Sequence, residues 1–296
     1  MFSVVITTKD RINYLSRAVH SIMSNSILPS EIIIINDGGA QINDAIFDIY
    51  SIPIRVFNNK VSKGANYSRN IGIKKSQNDI VFLLDDDDAL LENSFETRLV
   101  GFKNPKVGIS FTGIRIVKDN NLKEIKRILM TSPYTPTYYN LLKHGNLIGS
   151  TSRVALRKSY FNQVNGFDES LPCLQDYDLW IRLSQISDTY FDGSATVLYT
   201  IHNTNLNNKQ ISQNYRNYIN TSSYLLKKYE KEINKQKLTS NFKSNLYLRI
   251  SLSASKSNFF IKYKFAALSF INRPNIKALS LIIIPRKLLF KLFPYV

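Results

Sequence analysis

Residues 80–88 read IVFLLDDDD, so that five apolar residues run directly into four consecutive aspartates. An apolar run of this length is long enough for a strand buried on both faces and short for a helix, which predicts an α/β sheet. The aspartates then lie at the carboxyl end of that strand, where open α/β sheets bind ligands. Carboxylate oxygens at such an edge suit Mg²⁺ or Mn²⁺ carrying a diphosphate. A solvated acidic loop that caps the next helix is the alternative.

The residues before this segment alternate between strand and helix patterns. Apolar runs at 2–7, 31–35 and 52–57 predict three further strands, and residues 14–23 and 63–75 predict helices. This alternation predicts a mostly parallel sheet with right-handed crossovers. Polar residues that follow these strands, or lie on the helices after them, could converge on one rim of the sheet; they are Thr8, Asp37, Arg69 and Asp85 to Asp88.

The pattern from residue 107 onward is less regular. Strands are predicted at 107–117, 151–156 and 191–201, with helices at 158–164 and 176–184. After Asn203 the composition shifts to Asn, Lys, Ser and Tyr, and helices are predicted at about 207–230, 238–265 and 275–293. We therefore expect an α/β domain over residues 1–205, which would contain the site, and a basic helical region over residues 206–296.

The formal net charge of +17 lies mostly in the last third of the chain. Residues 201–296 contain 17 Lys and Arg against two acidic residues, Glu230 and Glu232. Basic and large apolar residues interleave between Ala278 and Phe293, which predicts an amphipathic helix lying on an anionic membrane surface. A helical cap with solvated cations is the alternative. Nucleic-acid binding, which also uses basic and aromatic residues, is disfavoured, and no nucleic-acid partner is expected.

The location of the protein is predicted from three further features. A single cysteine, Cys173, excludes an internal disulfide and fits a reducing compartment. The first residues lack the basic start of a signal peptide, and no run reaches the roughly 18 apolar residues that a spanning helix needs. We expect a cytoplasmic protein that is peripheral on the inner face of the cell membrane.

Short blocks of the sequence match a known family in order and spacing. Residues 4–11 (VVITTKDR), 34–39 (IINDGG), 64–72 (GANYSRNIG) and 84–88 (LDDDD) resemble the opening of the family 2 glycosyltransferases with the GT-A fold. Residues 166–171 (GFDESL), 175–183 (QDYDLWIRL) and 199–202 (YTIH) look like later blocks of the same family. The resemblance covers residues 2–202, and the tail lies outside it.

This resemblance implies a metal-dependent, inverting transferase that moves a sugar from a nucleotide-diphosphate donor to a hydroxyl. The pyrophosphate leaving group accumulates negative charge, which Mn²⁺ or Mg²⁺ would neutralise. Asp85 to Asp87 occupy the position of the family's DxD motif. By this correspondence Asp87 would bind the metal and Asp85 would face the ribose or the metal. Asp86 is the variable middle residue, and Asp88 is a further acidic neighbour.

Four other residues correspond to family positions around the donor. Thr8, Asp37 and Arg69 would hold the nucleotide, with a carboxylate accepting a hydrogen bond from uracil N3–H and an Arg contacting base or phosphate. Considered alone, Asp37 is typical of a turn and Arg69 of a helix surface. His202 follows the last predicted strand, where some family members use a His to bind the metal or the diphosphate. A lone His is otherwise typical of an ordinary surface or core residue.

Displacement at the anomeric carbon also requires a base that takes the proton of the acceptor hydroxyl. Asp176 matches the family's base, and Asp178 is the alternative, although a shift of two residues turns a side chain to another face of a helix. The family commonly has Glu where this chain has Gln175. This difference reduces the like-charge repulsion that could raise the pKa of Asp176.

The expected function is transfer of a sugar from a UDP-sugar to a glycan acceptor. The resemblance and the basic tail together imply a polyprenyl-diphosphate-linked acceptor in bacterial surface-polysaccharide assembly, such as O-antigen or capsule. A non-catalytic nucleotide-sugar or glycan-binding relative is the alternative. A phosphotransferase is disfavoured because Ala89 stands where its acidic motif would require Thr or Val.

Overall fold

The computed structural model of the chain describes residues 1–119, 121–202 and 214–284. Its first part alternates strands and helices as predicted. The elements are β1 (Ser3–Thr8), α1 (Ile12–Met23), β2 (Glu31–Asn36), β3 (Ile54–Asn58), α2 (Ala65–Lys75) and β4 (Ile80–Asp85). A short 3-10 helix at Asp44–Phe47 is the only helical turn that connects β2 to β3 within these residues.

These four strands lie side by side and run parallel, in the order β3, β2, β1, β4. The register pairs Thr8 with Asn36 and Thr7 with Asp85. The carboxyl ends of β1, β2 and β4 therefore meet at one edge of the sheet, because parallel strands in register end together. This edge carries the polar residues that the sequence predicted to converge.

The second part of the domain completes the sheet with mixed pairing. Its elements are β5 (Ala89–Leu90), α3 (Ser94–Leu99), β6 (Val107–Lys118), β7 (Asn121–Leu129), α4 (Tyr138–His144), β8 (Val154–Arg157), α5 (Lys158–Gln163), α6 (Gln175–Ser184) and β9 (Asp188–Ile201). Strand β8 pairs antiparallel with both β4 and β6, and β9 pairs parallel with β6. Within the described residues the strands form one nine-stranded sheet. The α/β fold class is thus confirmed.

Both faces of the sheet are covered, which explains the uninterrupted apolar strands. On one face Ile6 and Ile34 pack with Leu15 and Ile22 of α1. On the other face Val5, Ile33 and Leu83 pack with Ile73 of α2 and Trp180 of α6. Because successive side chains of a strand point to opposite faces, a strand between two helix layers must be apolar at every position.

The rest of the described chain is helical: α7 (Tyr215–Lys228), α8 (Glu230–Lys235), α9 (Thr239–Ala254), α10 (Phe259–Asn272) and α11 (Ile276–Ile283). The prediction of one helix over 238–265 is wrong. The chain leaves the helix after Ala254, and the side chain of Asn258 accepts a hydrogen bond from Ile261 N and so starts α10. In the described residues no helix is both long and apolar enough to cross a membrane.

The last helix is shorter than predicted within the described residues. Ile284 has an extended backbone, as expected for the residue before a proline, because the ring of Pro285 disfavours the helical conformation there. Residues 207–213 and 285–293 of the predicted helices lie outside the described residues. The amphipathic segment predicted over Ala278 to Phe293 is therefore described only in its first part.

Candidate active site

The four aspartates after β4 differ sharply in exposure. They form a turn in which Asp88 N donates to Asp85 O at 3.1 Å. The side chains of Asp85 and Asp87 are 27% and 21% exposed, whereas that of Asp86 is 1% exposed. Asp88 is also buried, and its Oδ1 accepts a hydrogen bond from Thr200 N at 2.9 Å. Asp85 and Asp87 are therefore the two carboxylates of the run that remain accessible to a ligand.

Asp87 lies between two cationic or protonatable side chains. Its Oδ2 is 2.8 Å from Arg11 Nη1 and 2.7 Å from His202 Nε2. Burial alone would raise the pKa of Asp87, but the hydrogen bond from His202 and the charge of Arg11 hold it below its ordinary value. The same hydrogen bond raises the pKa of His202. The structure therefore brings together Asp87 and His202, which are distant in sequence.

Three residues that sequence analysis missed support this pair from the other side. Tyr14 Oη and Asp119 Oδ2 lie 3.4 Å and 3.5 Å from His202 Nδ1. Arg17 donates to the backbone oxygens of Asp87 and Asp119 at 2.6 Å and 2.8 Å. The residues Arg11, Tyr14 and Arg17 recur every third position at the start of α1, a polar stripe that could have been noticed. Asp119 has no comparable signal.

Asp85 forms an ion pair with Arg69, one of the residues predicted to hold the nucleotide. Arg69 Nη2 donates to Asp85 Oδ1 at 2.6 Å, and Thr151 Oγ1 donates to the same carboxylate at 3.1 Å to Oδ2. Arg69 is buried, so it is not a solvated charge on a helix surface. Because Arg69 belongs to α2 and Asp85 ends β4, their ion pair joins the helix to the carboxyl edge of the sheet.

The side chain of Asp86 is buried within the acidic turn. Thr8 Oγ1 donates to Asp86 Oδ2 at 2.6 Å, and Arg11 Nη2 lies 3.1 Å from Asp86 Oδ1. Burial raises the pKa of Asp86 to about 6 despite these two partners. The pKa of Asp88 is raised well above its ordinary value by burial and by the charges of Asp87 and Asp85. The buried carboxyls of Asp86 and Asp88 therefore support the turn from within, and Thr8 is hydrogen-bonded to Asp86.

Asp37 organises the loop that leads into α2. Its carboxylate accepts hydrogen bonds from Ser62 Oγ at 2.7 Å, from the backbone N of Lys63 and Gly64 at 2.9 Å each, and from Ser68 Oγ at 2.9 Å. Burial opposes ionisation, but these donors hold the pKa of Asp37 below its ordinary value. The predicted contact of Asp37 with a nucleotide stays a prediction. In the structure its two carboxylate oxygens accept hydrogen bonds from this loop and from Ser68 of α2.

Asp176 lies at the start of α6. Asn146 Nδ2 donates to its Oδ2 at 3.0 Å, and Tyr177 N donates to its Oδ1 at 2.8 Å. Burial raises the pKa of Asp176, although both donors and the charges of Arg249 and Arg69 act in the opposite direction. Asn146 was missed by sequence analysis, since it lies in a segment without a repeating pattern.

One segment of the chain contacts both Asp176 and the acidic turn: Asn146 donates to Asp176, and Thr151, five residues later, donates to Asp85. Arg69, which binds Asp85, also acts electrostatically on Asp176. The pKa of Tyr199 is raised first by burial and then by the carboxylates of the turn and Asp176. Coulombic interactions weaken with distance, so these charge effects agree with the short link through residues 146–151.

Asp178, the alternative base, points elsewhere. Its carboxylate is fully buried and lies 2.7 Å from Arg182 Nη2 and 2.8 Å from Lys228 Nζ, and Tyr229 Oη donates to it at 2.8 Å. Lys228 and Tyr229 belong to the C-terminal helices. Asp178 therefore joins α6 to those helices, and this arrangement favours Asp176 as the group that reaches the cleft.

The side chains at the rim fit a divalent cation in donor type, with Asp87 Oδ2 and His202 Nε2 as an oxygen and a nitrogen donor. Among the described residues, no three His, Cys, Asp or Glu side chains are grouped so as to hold a metal ion. A cation at this position would therefore need further oxygens, such as those of a diphosphate.

Comparison with solved structures identifies the fold. The structure of S. aureus TarS 1-349 in complex with UDP matches with a TM-score of 0.55 at 15% identity, covering 94% of this chain and 90% of that one. The mannosyltransferase PcManGT from Pyrobaculum calidifontis, in complex with GDP-Man and Mn²⁺, matches with a TM-score of 0.55 at 12% identity, covering 97% and 80%. These neighbours are GT-A fold glycosyltransferases.

Sequence comparison identifies relatives. An uncharacterised glycosyltransferase of Rickettsia bellii is 29% identical over 241 residues, which are 79% of this chain and 34% of the relative. The chain thus spans about a third of that relative's length. The O-antigen biosynthesis glycosyltransferase WbnJ of Escherichia coli is 25% identical over 260 residues, which are 83% of this chain and 94% of the relative. Residues 3–164 match the sequence profile of glycosyl transferase family 2, and the chain belongs to this family.

Proposed function

We propose that the protein is an inverting, cation-dependent glycosyltransferase that transfers a sugar from a UDP-sugar to a hydroxyl of a glycan. The observation that carries this proposal is the link between Asp176 and the acidic turn through residues 146–151, in which Asn146 donates to Asp176 and Thr151 donates to Asp85. A base and an acidic edge on one cleft are what a direct displacement requires.

The acidic turn and its neighbours would hold the donor. Asp85 and Arg69 would contact the nucleotide, Thr8 would act through Asp86, to which it donates, and Asp37 would contribute by shaping the loop at residues 62–64. Asp87 and His202 would hold Mn²⁺ or Mg²⁺ together with the diphosphate, and the cation would neutralise the charge of the leaving nucleotide. TarS was solved with UDP and PcManGT with Mn²⁺, which supports these ligand types.

Asp176 would act on the acceptor. Its carboxylate would accept the proton of the acceptor hydroxyl as the oxygen attacks the anomeric carbon, while the bond to the diphosphate breaks on the opposite side of the sugar. A pKa raised by burial brings a carboxylate closer to the operating pH and makes it a stronger base. Asn146 and Tyr177 N donate to the two oxygens and favour the ionised form.

The acceptor would be a glycan carried on a polyprenyl diphosphate at the inner face of the cell membrane. The name of WbnJ places that relative in O-antigen biosynthesis, and the basic tail suits an anionic lipid surface. A cytoplasmic location, peripheral on the membrane, follows from this proposal. It requires no nucleic-acid partner.

Release of free UDP from a panel of UDP-sugars, with Mn²⁺ and with or without added glycan lipids, tests the proposal. Asp176→Asn should retain UDP binding, measured as a shift in the thermal unfolding midpoint, and lose turnover by about 100-fold or more. Asp188→Asn, an exposed aspartate at the start of β9, is the matched control and should match the wild type.

Two outcomes would contradict the proposal. Full turnover by Asp176→Asn would remove the base from its assigned role. Binding of UDP by the wild type without release from any donor would instead identify a non-catalytic nucleotide-sugar-binding relative.

A further inference from the structure

The hairpin formed by α10 and α11 presents a row of large apolar side chains to solvent. We call this row the outer face of the hairpin. Its members, with their exposed fractions, are Phe260 (75%), Tyr263 (38%), Ile271 (75%), Ile276 (79%), Leu279 (38%) and Ile283 (66%). In each helix these residues recur at the three- and four-residue spacings of a single helical stripe. Two apolar stripes on adjacent helices require an explanation, since scattered exposed apolar residues alone would not.

The opposite sides of both helices are buried against α9. Ser269 Oγ of α10 donates to Ser244 O at 2.9 Å, and Ser251 Oγ donates to Lys262 O at 2.8 Å. Ala266 of α10 and Leu281 of α11 form a buried cluster with Leu248 and Leu252 of α9. The inner stripes therefore pack in the interior of the chain, whereas the outer face stays exposed to solvent.

The two stripes lie on adjacent helices. The helices are antiparallel, because Lys262 Nζ near the start of α10 donates to Ile284 O just after α11 at 3.3 Å. Phe260 and Tyr263 therefore lie at the same end of the hairpin as Ile283. Ile271 and Ile276 lie together at the other end, on either side of the short turn.

The hairpin is also the outermost layer of the molecule on this side. Phe242 and Leu246 of α9 belong to the core of the catalytic domain, whereas Leu248 and Leu252 on another side of α9 contact the hairpin. Helix α9 therefore separates the hairpin from the sheet. At the turn of the hairpin, Arg273 also donates to Lys143 O of α4 at 3.3 Å.

The charge around the outer face selects the chemistry of a partner. Residues 233–296 contain twelve Lys and Arg and no Asp or Glu. Lys264 and Lys277 are exposed on α10 and α11. A second copy of this chain would bring cations against cations, which disfavours self-association.

From these observations we propose that the outer face of the hairpin docks on an anionic lipid bilayer. Its aromatic and aliphatic side chains enter the boundary between headgroups and acyl chains, and the lysines beside them contact lipid phosphates. Apolar insertion and cation attraction act together, as in other surface-bound amphipathic helices. This inference deepens the peripheral membrane location of the proposed function and rests on it, but its test involves no transferase step.

Co-sedimentation of the full chain with vesicles tests the proposal. Wild-type protein should bind vesicles of phosphatidylcholine with about 30% phosphatidylglycerol, and bind vesicles of phosphatidylcholine alone at least about tenfold more weakly. The variant Phe260→Ser/Ile276→Ser/Ile283→Ser should weaken binding to the anionic vesicles by about 100-fold. Lys264→Gln/Lys277→Gln should weaken binding by about tenfold and reduce its dependence on salt.

A matched control replaces three exposed isoleucines of the catalytic domain: Ile49→Ser/Ile125→Ser/Ile186→Ser. It should bind vesicles as the wild type does. Circular dichroism and the thermal midpoint should show every variant folded, since all substituted side chains are exposed. No substrate is present in this assay, so its outcome does not depend on the proposed function.

Three results would overturn the proposal: no binding of the wild type to anionic vesicles, equal binding to neutral vesicles, or unchanged binding of the folded hairpin serine variant. A change in oligomeric mass caused by the hairpin serines, with unchanged vesicle binding, would assign the outer face to a protein interface instead.

Discussion

The contact between Asn146 and Asp176 predicts how the pH dependence of turnover is set. Asn146 Nδ2 donates to Asp176 Oδ2 at 3.0 Å, while its Oδ1 accepts from Gly149 N at 2.8 Å. A hydrogen bond to a charged group contributes about 1.5–3 kcal/mol, and we take the lower limit because Asp176 is only partly buried in the cleft. At about 1.4 kcal/mol per pKa unit, loss of this bond should raise the pKa of Asp176 by about one unit.

The direction of the effect follows from the role of the base. The hydrogen bond stabilises the ionised form, so Asn146→Ala should raise the pKa of Asp176. Because a base acts when ionised, the acid limb of kcat/KM should move to higher pH by about one unit. Asn146→Asp keeps an acceptor for Gly149 N but adds a like charge, so its acid limb should move further. The ranking from low to high pH is wild type, Asn146→Ala, Asn146→Asp.

The assay is UDP release over a series of pH values. Asn140→Ala, which alters a partly exposed amide of α4 that donates to Thr135 O at 3.0 Å, should leave the acid limb in place. The reasoning would be refuted by an acid limb that stays fixed in both Asn146 variants while the rate falls, or by a shift to lower pH. Either result would mean that Asp176 is not the group whose ionisation limits turnover.

Three further predictions concern the donor side. Asp37→Asn should lower the free energy of unfolding in urea by about 2–3 kcal/mol, because the amide cannot accept all of the hydrogen bonds that the carboxylate accepts. Since the pKa of Asp37 is lowered in the folded state, this contribution should be present at neutral pH and lost as pH falls through the acidic range; equal stability of both proteins at pH 7 would contradict it. Arg11→Ala should bind Mn²⁺ without nucleotide about tenfold more tightly by calorimetry, because it removes a cation that occupies Asp87 Oδ2; weaker binding would show that Arg11 supports the cation. His202→Ala should weaken Mn²⁺ affinity in the presence of UDP by about tenfold or more, and unchanged affinity would exclude His202 as a ligand.

For residues 1–85 the sequence alone determined the strands and α-helices and their order. Apolar runs such as residues 31–35 and 80–84 must be buried on both faces, so they indicate a covered sheet regardless of long-range detail. The positions of Thr8, Asp37 and Asp85 at strand ends followed from these runs, and parallel pairing brought them to one edge. Local pattern was sufficient because the ends of parallel strands meet wherever the strands pair in register.

The helices of the tail were predicted less well. The helical pattern of the sequence continues through residues 255–258, although α9 ends before this segment. Residues 255–258 carry no proline or glycine, yet Asn258 starts a new helix there. The break allows α10 to turn back on α9. Without it the outer face of the hairpin would not exist as one surface.

Only the tertiary structure decided which side chains share the cleft and in what state. Asp85 and Asp87 remain accessible while Asp86 and Asp88 are buried. Four consecutive aspartates in a sequence do not indicate which of them the fold will bury. Asp119, Asn146 and His202 reach the site from separate parts of the chain, and their roles depend on contacts made across long sequence separations. Hydrogen bonds and burial act through space over a few ångströms, so the pKa values of these groups are properties of the folded chain.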